Sequence, residues 1–137
     1  MLFVLVQNAP AQRLPEGKLN PIRERTFDIL HYKANLEFEF ARGRVFGEAT
    51  ITLTPLRQVD SIVFDALYLN IKSVGDEKKN AALSFRSSSK SLNITFPKTK
   101  SVGDTLILSV VYEATPRAGM YFKTDPDNPT KYVVDTY

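Results

Sequence analysis

The chain has 137 residues, enough for one domain with its own core, because a domain near this size buries roughly two-thirds of its unfolded surface. Its 18 lysines and arginines outnumber 15 acidic residues, and the net charge of +3 is spread along the chain. This excludes the concentrated basic face of most nucleic-acid-binding proteins, so no nucleic-acid partner is expected. There is no cysteine, which excludes disulfides, thiol catalysis and thiolate metal sites.

The first residues resemble part of a secretory signal peptide. A short apolar run from Met1 to Val6 is followed by a small-x-small triplet ending at Ala11, the pattern of a cleavage site, although no basic residue precedes the run. A periplasmic or secreted protein is therefore expected. The alternative is a cytoplasmic protein in which this run is an edge strand, and no membrane span is expected. Residues 1–25 are interpreted as a signal-peptide remnant with an extended lead-in, and residues 26–137 as one domain.

Two amphipathic strands joined by a basic turn occupy residues 29–55. Apolar and polar side chains alternate in both, which is the period of a half-buried strand. The apolar sets are Tyr32, Ala34, Leu36, Phe38 and Phe40 in the first strand, and Val45, Gly47, Ala49, Ile51 and Leu53 in the second. Gly43 supplies the positive φ that a hairpin loop needs. The pattern predicts that Leu36 and Phe38 pack into the core, that Phe38→Ala costs roughly 3 to 5 kcal/mol, and that the fold depends on Gly47.

The remaining chain predicts further strands. Residues 56–74 fit either one helical stripe or two short strands broken at Asp65 and Ala66, and the aromatic and β-branched content favours strands. A hairpin is predicted around residues 86–90, then a loop over 97–104, a strand over 106–112 and strand-like alternation from residue 131. Short strands at regular intervals indicate an all-β sandwich or open barrel without helices, and an antiparallel β-sandwich is the preferred interpretation.

Few residues suggest chemistry. His31 is the one histidine of the sequence, which excludes a paired-histidine zinc site and a nucleophile triad, so a structural role is expected. Asp125, Asp127 and Asn128 lie close together, but the neighbouring prolines are typical of a turn rather than of a calcium loop. Glu37, Glu39 and Glu48 are interpreted as a soluble carboxylate face of the hairpin. Asn93 begins a glycosylation sequon, which is relevant only if the host glycosylates exported proteins. No catalytic residue and no metal ligand is predicted.

Four stretches are more informative in their order than any of them is alone. They are TFDILHY at residues 26–32, VFGEATITLTP at 45–55, IVFDALYLNIKSV at 62–74 and YEATPRAGMYF at 112–122. Together they resemble the N-terminal domain of the aminopeptidase N family of zinc metallopeptidases, and the resemblance covers nearly everything from Thr26 to Tyr137. It implies a saddle-like all-β domain that packs against a thermolysin-like catalytic domain.

The chain lacks the parts of that family that perform catalysis. It has neither the H-E-x-x-H zinc motif nor the G-A-M-E-N exopeptidase motif, so the chain alone is expected to be inactive and to hold no cofactor. The resemblance implies zinc in the catalytic domain, which would be the partner of this domain at a shared peptide-substrate cleft. Tyr137 stands near the position of the family's substrate-contacting Gln and is the candidate substrate-binding residue.

The leading hypothesis is therefore a non-catalytic scaffold domain of an aminopeptidase N-like protein that shapes one wall of the cleft. The alternative is a free-standing β-sandwich module that binds a protein or a glycan through exposed loops. A scaffold whose catalytic neighbour is absent should expose an apolar surface, and Met120, Tyr121 and Phe122 are the candidates for it.

Overall fold

The structure is a computed structural model that describes residues 24–117 and 120–136. Within these residues the chain forms ten strands, with one short 3-10 turn over Phe40–Arg42 between the first two. The strands are β1 (Phe27–Glu39), β2 (Arg44–Pro55), β3 (Val59–Asp65), β4 (Leu69–Asp76), β5 (Ala81–Ala82), β6 (Ser84–Ser87), β7 (Ser91–Lys100), β8 (Leu106–Ala114), β9 (Met120–Asp125) and β10 (Asn128–Thr136). No helix in this part of the chain is long and apolar enough to cross a membrane.

The strands form three antiparallel sheets. The main sheet has the order β1-β2-β8-β4-β5, and a smaller sheet, termed the cover sheet, has the order β3-β7-β6. Strands β9 and β10 pair with each other as a separate hairpin. Because every pairing of the described strands is antiparallel, the predicted all-β antiparallel sandwich is confirmed.

The core lies between the main sheet and the cover sheet. Leu53 and Leu108 of the main sheet join Ile62 and Ile94 of the cover sheet in one apolar cluster. Each of these four residues has at most 1% of its surface exposed. Burying an aliphatic side chain of this size stabilises a fold by about 1.5 to 3 kcal/mol, so this cluster is a main source of stability.

The predicted hairpin of β1 and β2 is present. Leu36 lies opposite Gly47 and Phe38 lies opposite Val45, as the alternation requires. The turn ends at Gly43, whose φ of +58° lies in the left-handed region that glycine adopts without strain. This confirms the role predicted for that glycine.

Strand β2 buries one face along its whole length. Its core-facing residues alternate with residues that are exposed or half-buried. The buried set is Val45, Gly47, Ala49, Ile51, Leu53 and Pro55. The alternation predicted for β2 is therefore confirmed.

Strand β1 carries the same alternation but is not covered in its middle. Tyr32 and Leu36 share the face of the buried β2 residues, yet they are 54% and 44% exposed, and Phe38 is only half-buried. The cause is width. Strands lie ~4.8 Å apart, so a sheet of three strands is too narrow to cover a sheet of five. The prediction that Leu36 and Phe38 pack into the core is wrong, and the cost predicted for Phe38→Ala loses its basis.

Neighbours cover only the two ends of β1. At its start, Phe27 contacts Phe64 of the cover sheet, with ring centroids 5.0 Å apart. After its end, Phe40 contacts Phe122 of β9 and Tyr132 of β10, at centroid distances of 6.0 and 5.4 Å. The middle of the strand is left open between these two aromatic contacts.

Two other predictions about strands have different outcomes. The segment with two interpretations forms β3 and β4, separated near Asp65 and Ala66 as predicted. The loop predicted from residue 97 begins later, because β7 continues to Lys100. The pairing of β7 with β3 shifts register after Thr95, and such an irregularity tolerates Pro97, which has no amide proton for the ladder.

The sequon at Asn93 does not lie on a loop. Asn93 is in β7, the central strand of the cover sheet, opposite Val63 of β3 and Arg86 of β6. Its side-chain oxygen is buried and has no hydrogen-bond partner among the described residues.

Candidate functional site

The described residues hold no group of side chains that resembles a catalytic centre. Across residues 24–117 and 120–136 there is no cluster of three or more His, Cys, Asp or Glu able to hold a metal. His31 lies exposed on β1. Glu37 and Glu48 lie on the outer face of the main sheet, where they face Phe46 and Asn35 across the strands rather than each other. These residues do not provide a zinc site.

The acidic residues after β9 form a turn. Asp125 Oδ1 accepts a hydrogen bond from the Asp127 amide at 3.0 Å. Asn128 Oδ1 accepts two from Thr130, at 3.2 Å from the amide and 2.7 Å from the hydroxyl. Lys131 Nζ lies 3.5 Å from Asp125 Oδ2. The turn predicted here is confirmed, because these oxygens bind groups of the turn itself.

An apolar cavity of about 320 Å³ lies at one end of the sandwich. It is located where β8 ends at Ala114, which pairs with Val45 of β2 on one side and with Leu69 of β4 on the other. This end cavity is lined mainly by apolar and aromatic side chains, among them Leu36, Leu67, Tyr68, Tyr112, Pro116 and Met120. Its volume is at the lower end of the ~300 to 1,000 Å³ typical of ligand sites.

Tyr68 and Arg117 form the polar border of the end cavity. The guanidinium carbon of Arg117 lies 5.0 Å from the centre of the Tyr68 ring, within cation–π distance. Tyr68 has a φ of +56°, which strains a non-glycine backbone by about 1 to 3 kcal/mol. Its amide donates to the Ser89 carbonyl at 2.8 Å, so the loop between β6 and β7 holds this turn in place. Backbone strain of this kind is concentrated at functional sites.

A wider cleft of about 740 Å³ shares Tyr68 and Arg117 with the end cavity and is also lined by Glu113. Glu113 Oε1 accepts a hydrogen bond from Asn70 at 2.8 Å and lies 2.9 Å from Lys72 Nζ. The Lys72 contact, followed by the Asn70 contact, holds the pKa of Glu113 below its ordinary value. Glu113 is therefore ionised at neutral pH, with Lys72 as its counter-charge.

Gly47 has no side chain, and the Tyr112 ring occupies the space this leaves beside the end cavity. A Cβ atom at Gly47 would overlap the Tyr112 ring, so any other residue at this position of β2 requires that ring to move. Burial, with a smaller contribution from Tyr32, raises the pKa of the Tyr112 hydroxyl above its ordinary value. The predicted importance of Gly47 thus has a physical basis in the packing of one aromatic ring.

Comparison with known proteins assigns a family to this chain. The sequence model of the Peptidase M1 N-terminal domain matches residues 29–136. The chain belongs to this family. The resemblance that the four sequence stretches carried is therefore confirmed, and the chain is an M1 N-terminal domain.

Solved M1 zinc metallopeptidases contain the same fold as this M1 N-terminal domain. A mutant of the enzyme from Deinococcus radiodurans aligns with a TM-score of 0.62 and 21% identity, over 69% of this chain and 22% of that one. A mutant bound to a Tyr-Ser-Ala substrate gives 0.62 and 22%, over 77% and 23%. A two-domain mutant bound to L-arginine gives 0.61 and 21%, over 75% and 23%. The chain thus spans less than a quarter of these proteins. No curated protein matches it.

The structure describes only some of the residues that the sequence predicts as site residues. Tyr137 lies outside the described residues, although Thr136, just before it, pairs with Met120, which lines the end cavity. Of the three residues expected to form an apolar surface, Tyr121 is exposed, whereas Met120 and Phe122 are half-buried. Sequence reasoning did not single out Tyr68 and Arg117 as a site. They are far apart in the chain, and no local pattern signals their contact.

Proposed function

We propose that this M1 N-terminal domain is the non-catalytic scaffold of an aminopeptidase N-like zinc metallopeptidase, in which it forms one wall of the peptide-substrate cleft. The size of the solved relatives supports a neighbouring catalytic domain, since the chain covers 22% of one M1 zinc metallopeptidase. Zinc and the general base belong to that neighbour in this proposal, because the chain has no H-E-x-x-H motif.

The observation that carries the proposal is the end cavity. A strained Tyr68 backbone, the Arg117 guanidinium and an apolar lining that includes Leu36 and Met120 occur together there. Exposed apolar surface rimmed by polar groups is typical of interaction sites. The catalytic domain is therefore positioned against this end of the sandwich. Tyr137 is the substrate-contacting candidate, because it stands near the position of the family's substrate-contacting Gln.

One test asks whether the chain has activity of its own. The purified chain, with or without added zinc, should release no chromophore from aminoacyl p-nitroanilides. Release that a chelator abolishes would contradict the non-catalytic role.

The DNA downstream of codon 137 gives a second readout. An in-frame H-E-x-x-H supports the scaffold, whereas a stop codon with no catalytic gene nearby favours the free-standing binding module.

A second test locates the interface. A catalytic domain encoded with this chain and produced separately should bind the chain and hydrolyse peptides faster in its presence. Arg117→Ala should weaken that binding by about tenfold or more, as expected for an arginine at the centre of an interface. Lys98→Ala is the matched control, because Lys98 is exposed on β7 and does not line the cavity. Equal binding by both variants would exclude the end cavity as the interface.

Export is a separate part of the proposal and rests on the sequence of the first residues. Their apolar run and small-x-small triplet favour a periplasmic or secreted protein. N-terminal sequencing of the protein from its native cells should then begin at Gln12. A chain that retains Met1 would contradict cleavage and favour the cytoplasm.

A further inference from the structure

Among the described strands, β1 has a free edge. It is the outermost strand of the main sheet, and among the described strands it pairs only with β2. Its 13 residues leave a row of backbone N–H and C=O groups along that edge, and such a row is a template for pairing with another strand. The open middle of β1 also presents Tyr32 and Leu36, both exposed apolar side chains. The edge therefore offers backbone pairing and apolar contact together.

The polar face of β1 is complementary to itself. From His31 to Glu39 the strand pairs with β2 without a register shift, so its side chains alternate regularly between the two faces. When two copies of this segment pair antiparallel about Asn35, Lys33 of one copy lies opposite Glu37 of the other, and His31 lies opposite Glu39. Symmetry repeats each of these pairs. Opposite charges that face each other across strands, as Lys33 and Glu37 do here, stabilise the pairing.

The apolar face matches in the same register. Tyr32 of one copy lies opposite Phe38 of the other, and Ala34 lies opposite Leu36. Aromatic cross-strand pairs are stabilising, and a small residue beside a large one leaves room for both. Pairing about Lys33 would instead place that lysine opposite itself. A slip by one residue would turn the apolar face of one copy to the polar face of the other.

We propose that two copies of this chain associate through the free edges of β1, with a two-fold axis at Asn35. Their main sheets then form one continuous antiparallel sheet. Such an interface is isologous, because the same strand contributes to both sides. The pairing can be tested apart from the scaffold role, because Lys33 and Glu37 do not line the end cavity, although Leu36 contributes to both surfaces.

Sedimentation equilibrium of the 137-residue chain over a range of concentrations tests the pairing, and a monomer–dimer equilibrium is expected. Lys33→Glu alone, or Glu37→Lys alone, turns two attractive pairs into two repulsive ones and should raise the dissociation constant about tenfold or more. The double variant restores opposite charges in reversed order and should restore the dimer. Lys98→Glu, a charge reversal away from the edge, should leave the dimer unchanged.

The single variants should fold normally. Within one copy, Lys33 faces Thr50 and Glu37 faces Phe46, so neither reversal places two like charges directly opposite each other inside the main sheet. Thermal melts that match the unchanged chain establish this. If a single variant has a lower melting temperature, a double variant that regains both the melting temperature and the dimer still supports the pairing.

Three results would overturn the proposal. One is a chain that stays monomeric at every concentration. Another is a dimer whose dissociation constant is unchanged by the single charge reversals, or is not restored in the double variant. The third comes from hydrogen exchange: β1 amides that point away from β2 and stay protected at dilutions where only monomer exists would mean that another part of the chain covers the edge. Protection that appears only with the dimer supports it.

Discussion

The two strands of the first hairpin have the same alternating sequence pattern and different surroundings. Strand β2 lies between β1 and β8 under the cover sheet and buries Ile51 and Leu53. Strand β1 lies at the sheet edge, and Tyr32 and Leu36 on the same face are open to solvent. A period of two therefore identifies which residues share a face, but it does not say whether a second layer covers that face.

The largest expected difference between the strands comes from shortening one leucine in each. Leu53→Ala in β2 should lower the free energy of unfolding by about 2 to 5 kcal/mol, because Leu53 is fully buried. Leu36→Ala in β1 should lower it by less than about 1 kcal/mol, because 44% of Leu36 is already exposed. Urea melts of both variants measure the difference. Similar costs would show that the middle of β1 is covered.

The next effect concerns the close approach between the main-sheet strands β2 and β8. Gly47→Ala should cost about 1 to 3 kcal/mol, because the added methyl group overlaps the Tyr112 ring. In a Tyr112→Ala background the same change should cost much less, and a double-mutant cycle measures this coupling. An unchanged cost in that background would mean that the Tyr112 ring is not the reason for the glycine.

A smaller effect is expected at the end of β1. Phe38→Ala should cost about 1 to 2 kcal/mol, because Phe38 is half-buried against Phe40 and Phe122 rather than packed in the core. Glu39→Ala, next to it on the opposite face, should cost no more than about 0.5 kcal/mol despite the ion pair with Arg42 at 3.1 Å. Denaturant melts compare the two. A cost above 3 kcal/mol for Phe38→Ala would place it in a closed core.

The smallest expected effect on stability concerns Glu113, which lies on the outer face of the main sheet. The folded pKa of Glu113 is lowered from an unfolded value of about 4.3, so its contribution to stability is present above that pH and lost as the pH falls through the folded pKa. Glu113→Gln should slightly lower Tm at pH 7 and leave it nearly unchanged at pH 2. Glu37→Gln on the same face is the control, and an equal effect of both would exclude the Lys72 pair as the cause.

Much of the local structure follows from the sequence because it depends on near neighbours in the chain. The alternation in β2 is set by the pleat, the turn at Gly43 by a positive φ, and the turn at Asp125 by side-chain bonds to amides two residues on. The prediction of a loop from Pro97 is wrong because the effect of a proline on a strand depends on the neighbouring strand, not only on nearby residues of the chain. A proline removes one hydrogen bond, and a register irregularity beside β3 accommodates it.

The sequence by itself thus determined most of the strands, which residues of each share a face, and the family. Only the tertiary structure decided which faces are covered and where a cavity forms. Ile51 of β2 meets Leu108 of β8, and Arg117 reaches Tyr68, through contacts between segments far apart in the chain. The same holds for the open middle of β1, because its exposure depends on the width of a cover sheet built from later strands.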